Sequence, residues 1–167
     1  HLGEKNLWGK TTNFELDTRV AMVVHAPGRK GNGQATNALV ELVDLYPTLA
    51  DLAELPVSEH ALQGKSFSAV LEDPSRSWKQ AAFSQFTRRG HRGYSLTDGR
   101  YRYTEWINLK SGDVAERELY DHHVDPNEGS NLARSEVQQE NLIRLRALLN
   151  KGEGWRDVSP PEFQLGK

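Results

Sequence analysis

The sequence predicts an α/β fold that passes, about halfway along, into a small α+β unit of four antiparallel strands with one helix laid across them. Three observations carry this. Residues 19–26, Arg19-Val20-Ala21-Met22-Val23-Val24-His25-Ala26, are apolar and β-branched on both faces, the pattern of a strand buried between helices in a parallel sheet. From Lys79 onward the period becomes strand-like, with Asp98-Gly99 as a hairpin signal. The last periodic stretch, from Ser135, places Val137, Leu142, Leu145 and Leu148/Leu149 on one helical stripe. The predicted division is therefore 1–78, the end of an α/β lobe with a bridge, and 79–167, the α+β unit.

The elements follow in order. After the 19–26 strand, Pro27-Gly28-Arg29-Lys30-Gly31-Asn32-Gly33 reads as a basic turn-rich loop. Asp44 is placed to cap a helix whose first turn tolerates Pro47, with Leu45, Leu49, Leu52 and Ala53 on one face and Leu55-Pro56-Val57 as the stop. Gln63-Gly64-Lys65-Ser66 leads into a short helical turn over 67–71, ended by Glu72-Asp73-Pro74. Strands are expected at 81–86, 93–97, 101–106 and 118–121, and a turn at Asp125-Pro126-Asn127-Glu128-Gly129. Ser135 with Gln138 forms a capping-box pattern for the final helix, which Gly152 closes.

Composition limits the function. In 167 residues, 21 Lys plus Arg balance 23 Asp plus Glu, so a net charge of −2 makes no electrostatic case for nucleic acid or an anionic membrane surface. No apolar run approaches the roughly 20 residues that span a bilayer, and nothing resembles a signal peptide. The absence of cysteine removes disulfides, thiolate metal sites and cysteine nucleophiles together. The Gly-rich polar opening, 1–15, runs straight into the 19–26 strand, so an interior site segment is expected to stand at the start of the chain.

Four stretches in this order resemble the sulfatase family, most closely its iduronate-2-sulfatase-like branch. They are Leu2-Gly3-Glu4 with Leu7-Trp8-Gly9-Lys10 and Asn13-Phe14-Glu15; Leu42-Val43-Asp44-Leu45-Tyr46-Pro47-Thr48-Leu49; Ala82-Phe83-Ser84-Gln85-Phe86; and Tyr101-Arg102-Tyr103-Thr104-Glu105-Trp106 with Glu118-Leu119-Tyr120-Asp121 and Asp125-Pro126-Asn127-Glu128. The resemblance implies the C-terminal part of an alkaline-phosphatase-like fold. It further implies hydrolysis of a sulfate ester, on a sulfated carbohydrate such as a glycosaminoglycan uronate, by a formylglycine nucleophile beside calcium or a similar divalent ion. Neither the Cys/Ser-x-Pro/Ala-x-Arg motif nor the Asp-rich ion site occurs in these residues, so both are expected in an N-terminal remainder of the same protein, and this stretch alone is expected to be inactive. A secreted, periplasmic or lysosomal location is implied in the same way. Two departures, Ala21 where the family usually has Pro and Glu54 where it has Gly, touch no chemistry.

Lys10 is the candidate catalytic residue. A lysine after Gly9 can offer three donors to a tetrahedral oxyanion, and by resemblance it matches the family lysine that binds the sulfate group; its plain alternative is a solvated surface charge. His1 is a candidate for substrate binding, and so are Arg88, Arg89 and His91, in a basic cluster expected as a loop between two strands, where guanidinium groups suit carboxylate and sulfate; the plain alternative for the cluster is a solvated hairpin loop. Glu4 and Glu15 are expected to orient Lys10 or Arg19, and Trp8 and Phe14 to pack beneath the Lys10 loop. No metal ligands are expected within the chain: His122 and His123 are adjacent on a strand and point to opposite faces, and Asp125-Pro126 is explained as a turn. Arg102 between two tyrosines reads as structural. Rival functions are phosphate or phosphonate ester hydrolysis by the same superfamily and a non-catalytic carbohydrate-binding module.

Overall fold

The computed structural model describes residues 1–56 and 62–151. Its centre is a four-stranded antiparallel sheet of consecutive strands, β1 (Ala82–Arg88), β2 (His91–Thr97), β3 (Tyr101–Asn108) and β4 (Val114–Asp121). The expected strands all form, each with a shifted boundary: β1 and β3 run on to Arg88 and Asn108, and β2 and β4 start earlier than expected. β2 begins at His91, because Arg89 and Gly90 both take positive φ (48° and 77°) and make a two-residue turn whose twist suits a hairpin. β4 begins at Val114; its first residues lack the apolar alternation that marks a half-buried strand, and their side chains are exposed or half-buried. At Asp98-Gly99 the hairpin forms as expected, with the Asp98 carboxylate accepting the Arg100 and Tyr101 amides at 3.0 and 2.7 Å.

Register divides the sheet into two unlike faces. Phe83, Leu96, Tyr103 and Leu119 fall in one cross-strand row. Helix α4 (Gln139–Lys151) lies on this face and buries Leu142, Leu145 and Leu149 against Leu96, Tyr103 and Leu119. Each leucine removed from water contributes about 2 kcal/mol. The expected stripe is thus the core, apart from Val137, which is 88% exposed. It precedes α4 in a 3-10 turn, Glu136–Gln138, that shifts the helical phase. The Ser135–Gln138 capping box does not form: the Ser135 side chain makes no cap, and Gln138 accepts from Asn141 instead. Gly152 and Val57 lie outside the described residues.

On the opposite face the row Ser84, Ser95, Thr104 and Glu118 is polar. Buried polar groups need hydrogen-bond partners. Thr104 donates to Ser95 (2.8 Å), and the first 18 residues of the chain lie over this face with polar partners of their own.

The expected strand over 19–26 is not formed. Val20 (48% exposed) and Val23 (95%) lie open, and no strand pairs with them among the described residues. A two-face apolar run states what a strand would like to touch, and it cannot supply the neighbouring strands that complete it. Helix α1 (Glu15–Thr18) precedes this run, and α2 (Leu45–Leu52) and α3 (Ser68–Glu72) follow it. In α2 the expected apolar face is turned outward at Leu49 (63% exposed), and Pro47, Thr48 and Ala50 are the buried positions. Asp44 stands at the N-cap position without capping by its side chain. It is fully buried and accepts the amides of Glu41 (2.9 Å) and Lys65 (2.8 Å) and the Lys79 ammonium (2.6 Å). Glu41 holds the same ammonium at 2.8 Å and accepts the β1 amide of Phe83 at 2.9 Å, so one buried cluster fastens the α2 segment to the edge of the sheet.

Candidate functional site

Gly9 takes φ 86°, a conformation open to glycine at little cost, and the turn it makes carries Lys10. Lys10 is exposed, forms no hydrogen bond or ion pair among the described residues, and stands on the wall of an open concavity of about 1270 Å³. Arg19, Asn13, Arg102 and the β1 residues Phe83 and Ser84 share that wall.

Three sets of contacts hold the segment bearing Lys10. The first is a notch in the sheet. Asn13, 3% exposed, donates through Nδ2 to the Gly93 carbonyl (3.1 Å) and accepts from Ser84 Oγ (3.3 Å). A Cβ on Gly93 would stand 2.7 Å from Asn13 Nδ2 and 2.9 Å from the Trp106 ring, so only glycine leaves room.

The second is a buried charge cluster. Arg102 is 3% exposed; its guanidinium donates to Glu15 Oε2 at 2.5 Å and lies 3.2 Å from Glu128 Oε1. Glu128, also 3% exposed, accepts the Glu15 amide (2.8 Å) and bonds His122 Nε2 (2.9 Å). Its carbonyl accepts from Lys5, whose ammonium lies 4.3 Å from the centre of the Phe14 ring. A buried arginine needs such partners, because an unpaired buried charge is costly. On the same face burial pushes the Glu118 carboxyl up from its ordinary value, and burial likewise raises the Tyr120 hydroxyl.

The third set lies inside the turn. Asp17 Oδ2 accepts the amide of Thr11 (2.9 Å) and the hydroxyl of Thr12 (2.6 Å), and His1 Nε2 lies 3.5 Å away.

The sequence-derived candidates are therefore dispersed. His1 points inward, with 1% of its side chain exposed and its ring edge-on to Phe14, and it does not line the concavity. Arg88, Arg89 and His91 do not line it either. The basic cluster is a hairpin, as its plain alternative has it, with a turn of two residues where a longer one is expected, and the strand pleat divides it. Arg88 and His91 pair across the strands on the face that carries Gly93, Arg89 occupies the turn, and Arg92 faces the other way beside Thr87 (3.4 Å). Glu15 serves Arg102, with Arg19 more distant at 3.7 Å, whereas Glu4 accepts the Leu2 amide and is turned to its own segment. Phe14 is half-buried under the segment, but Trp8 is 74% exposed; it forms a bridge to Leu2 and packs under nothing.

Among the described residues no group of three His, Asp or Glu side chains is arranged to hold a metal ion. Two acids that line the concavity with Lys10 are already committed, Glu15 to Arg102 and Asp17 to the Thr11–Thr12 turn. Asp121 is held below the usual carboxylate range by its bonds from Arg100 (3.0 and 2.7 Å), and Asp125 closes its turn through the Ser130 amide (2.8 Å). These residues do not fit a divalent ion.

Asn13, Asp17 and Glu128 were not visible as anchors in the sequence. One signal was present: a glycine inside a strand, Gly93, marks a close approach by another part of the chain.

The chain matches the family described as N-sulphoglucosamine sulphohydrolase, C-terminal, over residues 3–153. It is 27% identical to iduronate 2-sulfatase of Mus musculus, over 78% of this chain and 36% of that protein. Among solved structures it is similar to one in complex with its substrate D-glucosamine-2-N,6-O-disulfate (25% identity, TM-score 0.59, 72% of this chain and 25% of that one). It is also similar to the phosphonate monoester hydrolase of Agrobacterium radiobacter (25% identity, TM-score 0.56, 71% and 27%). The chain spans about a third of the length of the curated relatives it matches.

Proposed function

Because the chain belongs to the sulfatases, as the C-terminal region described for N-sulphoglucosamine sulphohydrolase, we propose that the protein it forms part of hydrolyses sulfate esters of a carbohydrate of the glycosaminoglycan kind. Its fold is the C-terminal part of the alkaline-phosphatase-like α/β architecture, ending in the four-stranded sheet and α4. The observation that carries the reading is Lys10, an uncommitted ammonium on a glycine turn, held from behind by three sets of contacts and facing a concavity.

In this role the Lys10 ammonium donates to the sulfate oxygens and gains strength as negative charge builds on the leaving oxygen. Such a donor accelerates the reaction only when a nucleophile is held against the same group. That nucleophile, a formylglycine, and a divalent ion such as calcium, which would polarise the ester oxygens, belong in this reading to the N-terminal remainder of the same protein, and so do the ion's ligands. Arg88, Arg89 and His91 would meet acidic groups on a neighbouring sugar, since guanidinium forks match carboxylate and sulfate. A secreted, periplasmic or lysosomal setting accompanies the substrate class; no helix among the described residues is long and apolar enough to cross a membrane.

In the full-length protein, Lys10→Ala should lower kcat for sulfate release from a sulfated disaccharide about 100-fold or more. Unchanged sulfate release in that variant would overturn the role of Lys10. A second reading, hydrolysis of a phosphonate or phosphate monoester, is favoured by the likeness to the Agrobacterium enzyme. Paired assays on 4-nitrophenyl sulfate and 4-nitrophenyl phosphate separate the two.

A further inference from the structure

We infer that Asp17 and His1 form a buried positioning pair that sets the direction of Lys10 and that neither touches the substrate; this rests on the sulfate-binding role of Lys10. Four details support it. The Thr11 amide immediately follows Lys10 in the chain, and it ends on Asp17 Oδ2 at 2.9 Å. The next residue, Thr12, gives its hydroxyl to the same oxygen at 2.6 Å and accepts the Phe14 amide at 3.2 Å. His1 Nε2 closes the group from the other side, 3.3 Å from Thr12 Oγ1 and 3.5 Å from Asp17 Oδ2. Both side chains are 1% exposed: His1 does not line the concavity, and Asp17, which borders it, has its Oδ2 taken up by the Thr11 amide and the Thr12 hydroxyl.

A carboxylate that gathers a backbone amide and a hydroxyl on one oxygen fixes two consecutive residues at once, and charge-assisted bonds of this kind are the stronger ones. The ammonium of Lys10 swings on a flexible four-carbon stem, so its aim depends on where the backbone is pinned. Asp17 pins it one residue downstream. The imidazole fills the space behind the carboxylate and stacks edge-on against Phe14, 6.1 Å between ring centres, while its Nδ1 is buried without a hydrogen-bond partner among the described residues. An imidazole placed in this way supports the turn. A histidine recruited to bind substrate would present a ring nitrogen to the concavity.

The test is a double-mutant cycle in the full-length enzyme, with sulfate release from a sulfated disaccharide as the readout. Asp17→Ala should lower kcat about 100-fold, the scale expected when a reacting group is displaced by about 1 Å, with KM nearly unchanged. Asp17→Asn, which can keep an acceptor at the Oδ2 position, should restore most of that loss. Combined with Lys10→Ala, Asp17→Ala should add nothing further, because Asp17 acts only through Lys10. Additive losses, or equal losses in Asp17→Ala and Asp17→Asn, would overturn the inference. If Asp17→Ala does not fold, His1→Leu carries the same cycle: a fall in kcat at constant KM supports positioning, and a rise in KM at constant kcat returns His1 to the substrate. Full activity in Lys10→Ala would instead defeat the functional reading on which the pair depends.

Discussion

At the scale of single residues, the sheet face beneath Lys10 depends on an absence. Gly93 has no side chain, and Asn13 occupies the space a methyl would take. Gly93→Ala should displace Asn13 and press on the rigid Trp106 ring, and destabilise the protein by about 1–3 kcal/mol, the usual range for an overpacked site. It should also lower kcat for sulfate release, which is the more telling readout, since a purely structural glycine would shift the denaturation midpoint alone. In the sequence Lys10 could be singled out together with Glu15 and Phe14 beneath it, and the other supports could not. Asn13, Asp17 and Glu128 are ordinary polar residues in a polar stretch, and their partners lie 80, 5 and 113 positions away in the chain. Only folding brings such partners together. Arg102 reads as structural in the sequence because it lies within a strand of aromatic residues, and at 3% exposure it is buried, though on the face opposite Tyr101 and Tyr103, where Glu15 and Glu128 meet it.

At the scale of elements, periodicity read the α+β unit well where one face is apolar and the other is not. Leu145 is fully buried at the centre of α4. Leu145→Ala should cost about 3 kcal/mol through lost contacts and a residual cavity. Val137→Ala, at an 88% exposed position just before α4, should stay within about 0.5 kcal/mol. Denaturant midpoints measured side by side check the pair. Two elements differ from expectation for identifiable reasons. The 19–26 run has strand composition, but β preference expresses packing against neighbours and none pairs with it here. The basic hairpin is tighter than the composition of 87–92 suggests, because Arg89-Gly90 is a less familiar turn pair than Asn-Gly; once the turn is only two residues long, the pleat sends Arg88 and Arg92 to opposite faces.

At the scale of the whole molecule, the packing is uneven. The sheet is covered by α4 on one face and by Asn13 and Glu15 on the other, while Val20, Val23 and Leu42 remain exposed around the concavity that borders β1, and Tyr46 and Leu49 are exposed on α2. Exposed apolar surface beside a sheet edge invites pairing with other chains. The 167-residue chain expressed by itself should therefore associate, seen as a rising apparent mass with concentration in light scattering. A monomer that unfolds in one cooperative step would contradict the expectation that further polypeptide covers this side.

The opening segment and the sheet it grips are separated by the long excursion from Arg19 to Lys79, yet Asn13, Glu15 and Lys5 reach across directly to Gly93, Arg102 and Glu128. The two ends of that excursion are stapled together by side chains, so cleavage within the glycine-rich 27–33 stretch would sever the polypeptide without releasing either piece. Continuity of the backbone and continuity of the wall that carries Lys10 are, in this protein, separate properties.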